Sequence, residues 1–470
     1  MRFARTIALV GVGLLWFAFG PVVLLLGAAA LYFRRVRAWL RPTRRVVGAW
    51  VVAVLALAGL AVVVPDGWVP IAPGAGVLAS PGYVGRPVSG FEGVPGGPLG
   101  ESPEVRTRSY GVDACRRIEL DSHDRLVSLC GSDGAPVLRL VDRGNLHQLA
   151  VKELPTSKDA ACPGAFYVVG DRAVVATHDQ RLLVVATADA DDDPDLTTRD
   201  TVALDIPDDD CVIGLDGDAQ GRSWFVTDGG RVGVVDDGAA RVLDLAEQVD
   251  RPLTVVGDAA YVVTAEAAYR IGPGPRVVWR VDQEHSATPA ALPGDLVATT
   301  DDAASRLDVV VRSGTDGAEV CRVAVFEENE GAADRLVADG AGVIVQNVHG
   351  YAGVRSTTLG RTTAGGVARV VVRDGECTAA WTADVDAPSG APAVAAEPGL
   401  VYAYTKRRSW VGVNAWYLTA LDLETGRSVF SVRTGLGLLR DNHHGEVALG
   451  PEATAYVPVL GGFVGVQDRG

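Results

Sequence analysis

The densest polar cluster of the chain is Asp441, Asn442, His443 and His444, and His285, in DQEHSATPA, occupies a comparable connection earlier in the sequence. An imidazole titrates near neutral pH, so it can carry a proton or ligate a metal when a carboxylate or amide orients it. These five residues form the candidate ligand-binding set, and no catalytic role is assigned among them. Adjacent residues point to opposite sides of an extended chain, so at most one of His443 and His444 is expected to face a shared site. The competing role is a hydrogen-bonded tie between structural repeats.

Other chemistry is sparse. Acids cluster at Asp191 to Asp193 with Asp195, at Asp208 to Asp210, at Asp236 with Asp237 and at Asp301 with Asp302. None has the alternating ligand spacing of a calcium loop, so solvated turns are expected and no metal site is assigned. There is no Gly-x-Ser-x-Gly elbow and no phosphate-cradling loop followed by lysine. The residues therefore name no reaction.

The elements that hold these groups divide the chain by charge. It has 470 residues and a net charge of −15, with 43 basic and 58 acidic residues. Residues 1–64 hold eight arginines and no acid, which leaves 35 bases against 58 acids, a net −23, in residues 65–470. So acidic a domain repels phosphate backbones, and nucleic acid is excluded as a partner.

Residues 6–33 run 28 positions without a charge, and residues 46–64 form a second apolar run of 19, which as a helix rises about 28 Å. Both are long enough to span a bilayer, and Pro21 is tolerated as a kink. The loop 34–45 between them carries six arginines and is expected in the cytoplasm. The reading is a multi-pass cell-membrane protein: a hairpin of two transmembrane helices with everything after Pro65 outside. Neither run has an ionisable interior residue, so anchoring suffices as its role. Cys115, Cys130, Cys162, Cys211, Cys321 and Cys377 all fall in the outer part, and an even count there suggests disulfides.

Residues 65–104 are rich in Pro and Gly and read as a linker. From 105 to 470, short β-branched runs are broken by Gly, Asp and Asn turns, as in AFYVVGDRAVVATHDQRLLVVATA. The cadence returns every 40–50 residues or so, the period of a four-stranded propeller blade. The expected fold is an all-β propeller of eight blades, with seven as the alternative. Blades are expected to begin near Ile118, Cys162, Cys211, Pro252, Thr288, Ala332, Ala391 and Gly445. The last has three strands, and Tyr110 to Leu120 is expected to supply its fourth.

At residues 418–435, LTALDLETGRSVFSVRTG resembles the repeat of quinoprotein-like (PQQ-type) propellers, here in what reads as a membrane-anchored bacterial protein. Asp422, Thr425, Gly426 and Phe430 fill that pattern, and Trp279 and Trp381 stand at the place of Phe430 in other blades. The resemblance implies a structural tie between blades rather than a chemistry. Residues 216–235, with a Gly turn leading into Trp224, look like a blade of lactonase-type propellers, whose central Ca²⁺ is held by acids and asparagines. On such blades, the expected disulfides pair Cys162 with Cys211, Cys321 with Cys377, and Cys115 with Cys130 across the closing seam.

The resulting expectation is a membrane-anchored, extracytoplasmic scaffold. The membrane is engaged through residues 6–64, and an envelope protein, glycan or small ligand binds at a propeller face. The alternative is an exported propeller enzyme, either a Ca²⁺-dependent lactonase-like hydrolase or a diverged quinoprotein oxidoreductase. No cofactor is expected in the first case, and Ca²⁺ or PQQ in the second.

Overall fold

The computed structural model describes residues 96–111, 114–132, 135–156, 164–284, 287–302, 306–409, 412 and 414–469, the short strand Leu78–Ala79, and residues 29–30, 32–34 and 36. The two expected membrane spans lie almost wholly outside these residues. Among the described residues no helix is long and apolar enough to cross a membrane.

The chain forms eight antiparallel sheets arranged as an eight-bladed propeller. Blades 1 to 7 are four-stranded meanders over residues 115–153, 165–203, 212–244, 254–282, 290–325, 336–383 and 393–436. Each inner strand starts within four residues of its expected position. The repeat spacing stretches from 36 residues between the starts of blades 4 and 5 to 57 between blades 6 and 7, because residues 347–366 form a long turn inside blade 6.

Blade 8 draws its three inner strands from residues 448–468, and its outer strand is Pro103–Ser109. This strand runs antiparallel to Gly462–Asp468, from Pro103 opposite Asp468 to Ser109 opposite Gly462. Tyr110 to Leu120 is therefore not that strand. Cys115–Leu120 is the inner strand of blade 1, because Cys115 and Ile118 bury themselves against Tyr456 and Phe463 of blade 8. PEVRTRS, with its polar alternation and a leading proline, suits a half-exposed edge.

The core lies between the blades. Each of the eight interfaces between neighbouring sheets has its own buried apolar cluster. In blade 2, Phe166 and Val168 pack towards blade 1 while Ala165 and Tyr167 pack towards blade 3. Both faces of a middle blade are thus apolar, which is why its strands read as near-continuous hydrophobic runs. Outer strands such as Gln148–Glu153 keep exposed and half-exposed residues in alternation.

The expected linker is drawn into this body at two places. Leu78–Ala79 pairs with Phe430 and Ser431 at the outer edge of blade 7. The amides of Leu99 and Gly100 donate to the Asp468 carboxylate at 2.6 and 3.1 Å.

Two disulfides are seen. Cys115 and Cys130 face each other on adjacent strands within blade 1, not across the seam. Cys321 and Cys377 join the outer strands of blades 5 and 6, as expected. Cys211 is also disulfide-bonded, and Cys162 lies outside the described residues.

Candidate functional site

The connections from each outer strand to the next inner strand gather on one face around the channel. There a cavity of about 400 Å³ opens, lined by Arg117, Asp216, Arg251, Asp334, Arg335 and Glu446 among others. His444 also lines it. Two links between polar and charged side chains cross this mouth. Arg251, leading into blade 4, pairs with Asp334, leading into blade 6, at 3.2 Å, and Asp334 meets His444 Nδ1, leading into blade 8, at 3.1 Å. Arg335 pairs with Glu446 at 2.9 Å, again joining blades 6 and 8.

The electrostatics follow from enclosure by protein. Burial alone would raise the Asp334 carboxyl, but the His444 hydrogen bond and the Arg251 charge outweigh it and hold it below the ordinary range. Burial pushes the Asp216 and Glu119 carboxyls up despite Arg117. Burial disfavours the Arg117 cation, yet Glu119, Glu446 and Asp216 together raise its pKa. Arg117 is open to channel water but surrounded by protein, so these charges interact strongly.

Of the expected site residues, His285 lies outside the described residues, and the other four are adjacent but do not act alike. Asp441 and Asn442 are 0% and 1% exposed. Asn442 donates to the carbonyls of Ser389 and Gly445 at 2.9 and 2.8 Å and accepts from Ser389 Oγ at 3.1 Å, tying the two last connections together. Gly390 sits in that tie with φ +77°, and a Cβ there would lie 2.1 Å from the Gly445 carbonyl. Asp441 accepts from Tyr351 at 3.1 Å, from the His443 amide at 2.9 Å and from Thr357 Oγ1.

The extended-chain expectation fails at the histidines. His443 and His444 have φ of 38° and 66°, so the chain turns left-handed and their rings lie 5.2 Å apart, both against Tyr351. His444 lines the cavity, and His443 Nδ1 instead stands 3.0 Å from the Tyr351 hydroxyl. Burial, then the Asp441 carboxylate, raises the Tyr351 pKa strongly. A phenol held protonated in this way makes a poor general base.

Other expected positions resolve into structure. Trp224 is fully buried, its indole donating to Asp218 Oδ2 at 2.9 Å, which is core packing and not a lactonase-like site. Asp210 and Asp301 are not solvated turns: both are mostly buried and paired, with Arg231 and Arg322, each at 2.9 Å. Trp279 and Trp381 donate to carbonyls of the following blade, Gly314 at 2.8 Å and Leu423 at 2.9 Å.

The channel charges escaped the sequence reading because they lie in short groups on several connections, far apart in the chain. A further group was missed: Asp121, His123 and Asp171 place ligand-type atoms within 4.8 Å. Asp121 is already committed to Arg125 at 2.8 Å, and His123 to Asp171 at 2.9 Å, so the group reads as a tie between blades 1 and 2.

The cavity does not fit a quinone cofactor or a central Ca²⁺. Phe166 is the one phenyl or indole ring among its described lining residues, which leaves no such pair to sandwich a planar cofactor. Its acids are matched by Arg116, Arg117, Arg251 and Arg335, a poor field for a dication.

No protein-family model matches the chain, and neither does any curated protein. Among solved structures, Sqt1 of Chaetomium thermophilum aligns with a TM-score of 0.54 at 11% identity, over 77% of this chain and 97% of that one. Sqt1 has also been solved bound to the N-terminus of ribosomal protein L10. BamB from Moraxella catarrhalis aligns at TM-score 0.43 and 13% identity, over 67% and 98%. Virginiamycin B lyase from Staphylococcus aureus aligns at 0.46 and 10%, over 78% and 100%. The likeness to Sqt1 shows the β-propeller fold.

Proposed function

We propose that this chain is a binding module anchored by residues 6–64 in the cell membrane, with its propeller outside the cytoplasm, and that a charged segment of an envelope protein is its ligand. The observation that carries the reading is the pair of cross-channel charge links in an open cavity, Arg251–Asp334–His444 and Arg335–Glu446. A ligand bearing both signs can exchange its own ions for these intramolecular partners, whereas a neutral glycan would have to leave them paired. The disulfides support the location, since such bonds persist in oxidising compartments. The propeller of Sqt1, bound to a protein N-terminus, is a precedent for the fold in this role.

The exported-enzyme reading gains nothing from Asp441 and Asn442, which are committed to ties. The test is photo-crosslinking in cells from position 250, an exposed cavity residue, with position 149 on the outer strand of blade 1 as control. A discrete protein adduct from position 250 alone, lost when Arg251 and Arg335 are both changed to Ala, is expected. Equal labelling from both positions would sink the proposal. Membrane anchorage is checked separately: alkaline carbonate should leave the full chain in the membrane and extract a chain lacking residues 1–64.

A further inference from the structure

We infer that the long turns of blades 6 and 7 form a seat for an anionic lipid surface. Leu359 is 75% exposed and Leu438 45% exposed. They are brought together by Asn414, whose side-chain oxygen accepts from the Gly360 amide and whose backbone oxygen accepts from the Gly437 amide, both at 2.8 Å. Arginines with no carboxylate within ion-pair distance among the described residues surround this apolar tip. Arg355, Arg361 and Arg408 are exposed, and Arg361 spends its guanidinium on the carbonyls of Arg355 and Thr358. Arg408 adjoins Ser409, whose amide binds the Gly360 carbonyl at 2.8 Å.

Some exposed arginines elsewhere on this acidic domain pair with acids, as Arg199 does with Asp195 and Arg241 with Asp236, both at 3.2 Å, while others, such as Arg172 and Arg276, have no such partner among the described residues. Arg408 lies in the field of the Asp386 carboxylate, but none of the three arginines is in a direct ion pair among the described residues, and such cations flanking exposed leucines are an arrangement that anionic headgroups and their acyl boundary accept.

The chain path points to lipid as the source of that anionic surface. Leu78–Ala79 lies along the outer strand of the same blade 7, only a short stretch of chain beyond Val64, the end of the second apolar run. Fully extended, the stretch from Val64 to Leu78 reaches about 48 Å at most, so the outer edge of blade 7, where the chain joins the ring, stays within that reach of a bilayer containing residues 46–64. The orientation argument rests on the anchored reading, but the lipid affinity itself does not.

The test uses residues 65–470, which keep both the strand Leu78–Ala79 on blade 7 and the strands that close the ring. The fragment is sedimented with vesicles of phosphatidylcholine alone or of phosphatidylcholine mixed with phosphatidylglycerol, at low and high salt. Binding to the anionic vesicles only, weakened by salt, is expected. Changing Arg355, Arg361 and Arg408 together to Glu should cost roughly 100-fold or more, from about 1 kcal/mol per cation near such a surface. The pair Leu359→Asp and Leu438→Asp should also weaken binding with thermal melting unchanged, and the arginine variant, which also loses the Arg361 bonds to the Arg355 and Thr358 carbonyls, is assayed well below its own melting temperature. Indifference to anionic lipid overturns the inference, and so does undiminished binding by either variant. Binding to polyglutamate without binding to vesicles would overturn it in favour of an acidic protein. Carbonate extraction of the full chain reports separately on the anchor.

Discussion

The Trp381 indole at the outer edge of blade 6 donates to the Leu423 carbonyl in blade 7 at 2.9 Å, and the ring lies directly over Gly426. Gly426 has φ +69°, and a Cβ there would fall 2.6 Å from the indole. Gly426→Ala should therefore cost about 1–3 kcal/mol, through backbone strain and overpacking together. Trp381→Phe, which keeps the ring and loses one hydrogen bond, should cost nearer ~1 kcal/mol. Urea unfolding midpoints check the order.

The two disulfides close loops of very different length, with sequence separations of 56 for Cys321–Cys377 and 15 for Cys115–Cys130. Replacing Cys321 and Cys377 by Ser should cost about 1 kcal/mol more than replacing Cys115 and Cys130, from loop entropy alone. Denaturant titration of both double variants checks this. A thiol assay on the unfolded, unreduced protein from an oxidising compartment should find no reactive cysteine, matching the absence of free cysteines among the described residues.

Asn442 and His444 stand two positions apart and should part company under mutation. Asn442→Ala strands the buried Ser389 and Gly445 groups, and should lower stability by about 2 kcal/mol. His444→Ala removes a partly exposed contact with Asp334, and should change stability by under about 1 kcal/mol while altering ligand capture at the cavity. Melting curves and the crosslinking yield from position 250 separate the two roles.

Lys406 is 1% exposed, with its ammonium donating to the Arg361 carbonyl and lying 5.8 Å from the Trp416 ring centroid. Burial lowers its pKa from 10.5 to about 8, against the opposing fields of Asp441 and Asp386. Below pH 8 both folded and unfolded chains carry this proton. Between pH 8 and 10.5 only the unfolded chain does, so this group makes stability rise with pH across that window. Lys406→Met should flatten the rise by about 1–2 kcal/mol once solvent screening is allowed for. Unfolding midpoints at pH 8 and pH 10 measure it, and parallel curves for the two proteins would refute the assignment.

Much of the ring was legible because period-2 runs and turn residues recur with the blades, so inner strands at Val212 and Thr254 fall where turns before them imply. The closing strand was not, because Pro103–Ser109 finds its partner at the opposite end of the ring's sequence, in Gly462–Asp468, and local pattern carries no pairing information over such a distance. The site was half legible. Adjacent polar residues flagged Asp441 to His444, but alternation assumed an extended backbone, and left-handed turns at both histidines replaced it. Arg251, Asp334 and Glu446 were invisible because they lie in three separate connections with no shared sequence pattern, and only ring closure brings them to one mouth.

The seam also has a consequence in time. Ser109 is made early and Gly462 late, with seven whole blades between them, yet each belongs to the other's strand pair. During synthesis the circle stays unfinished until the final strand arrives. A chain cut short of Gly462 leaves blade 8 with a bare edge, open to mispairing and to proteases, so arrival of the strand Gly462–Asp468 is what turns a newly made thread into a durable particle.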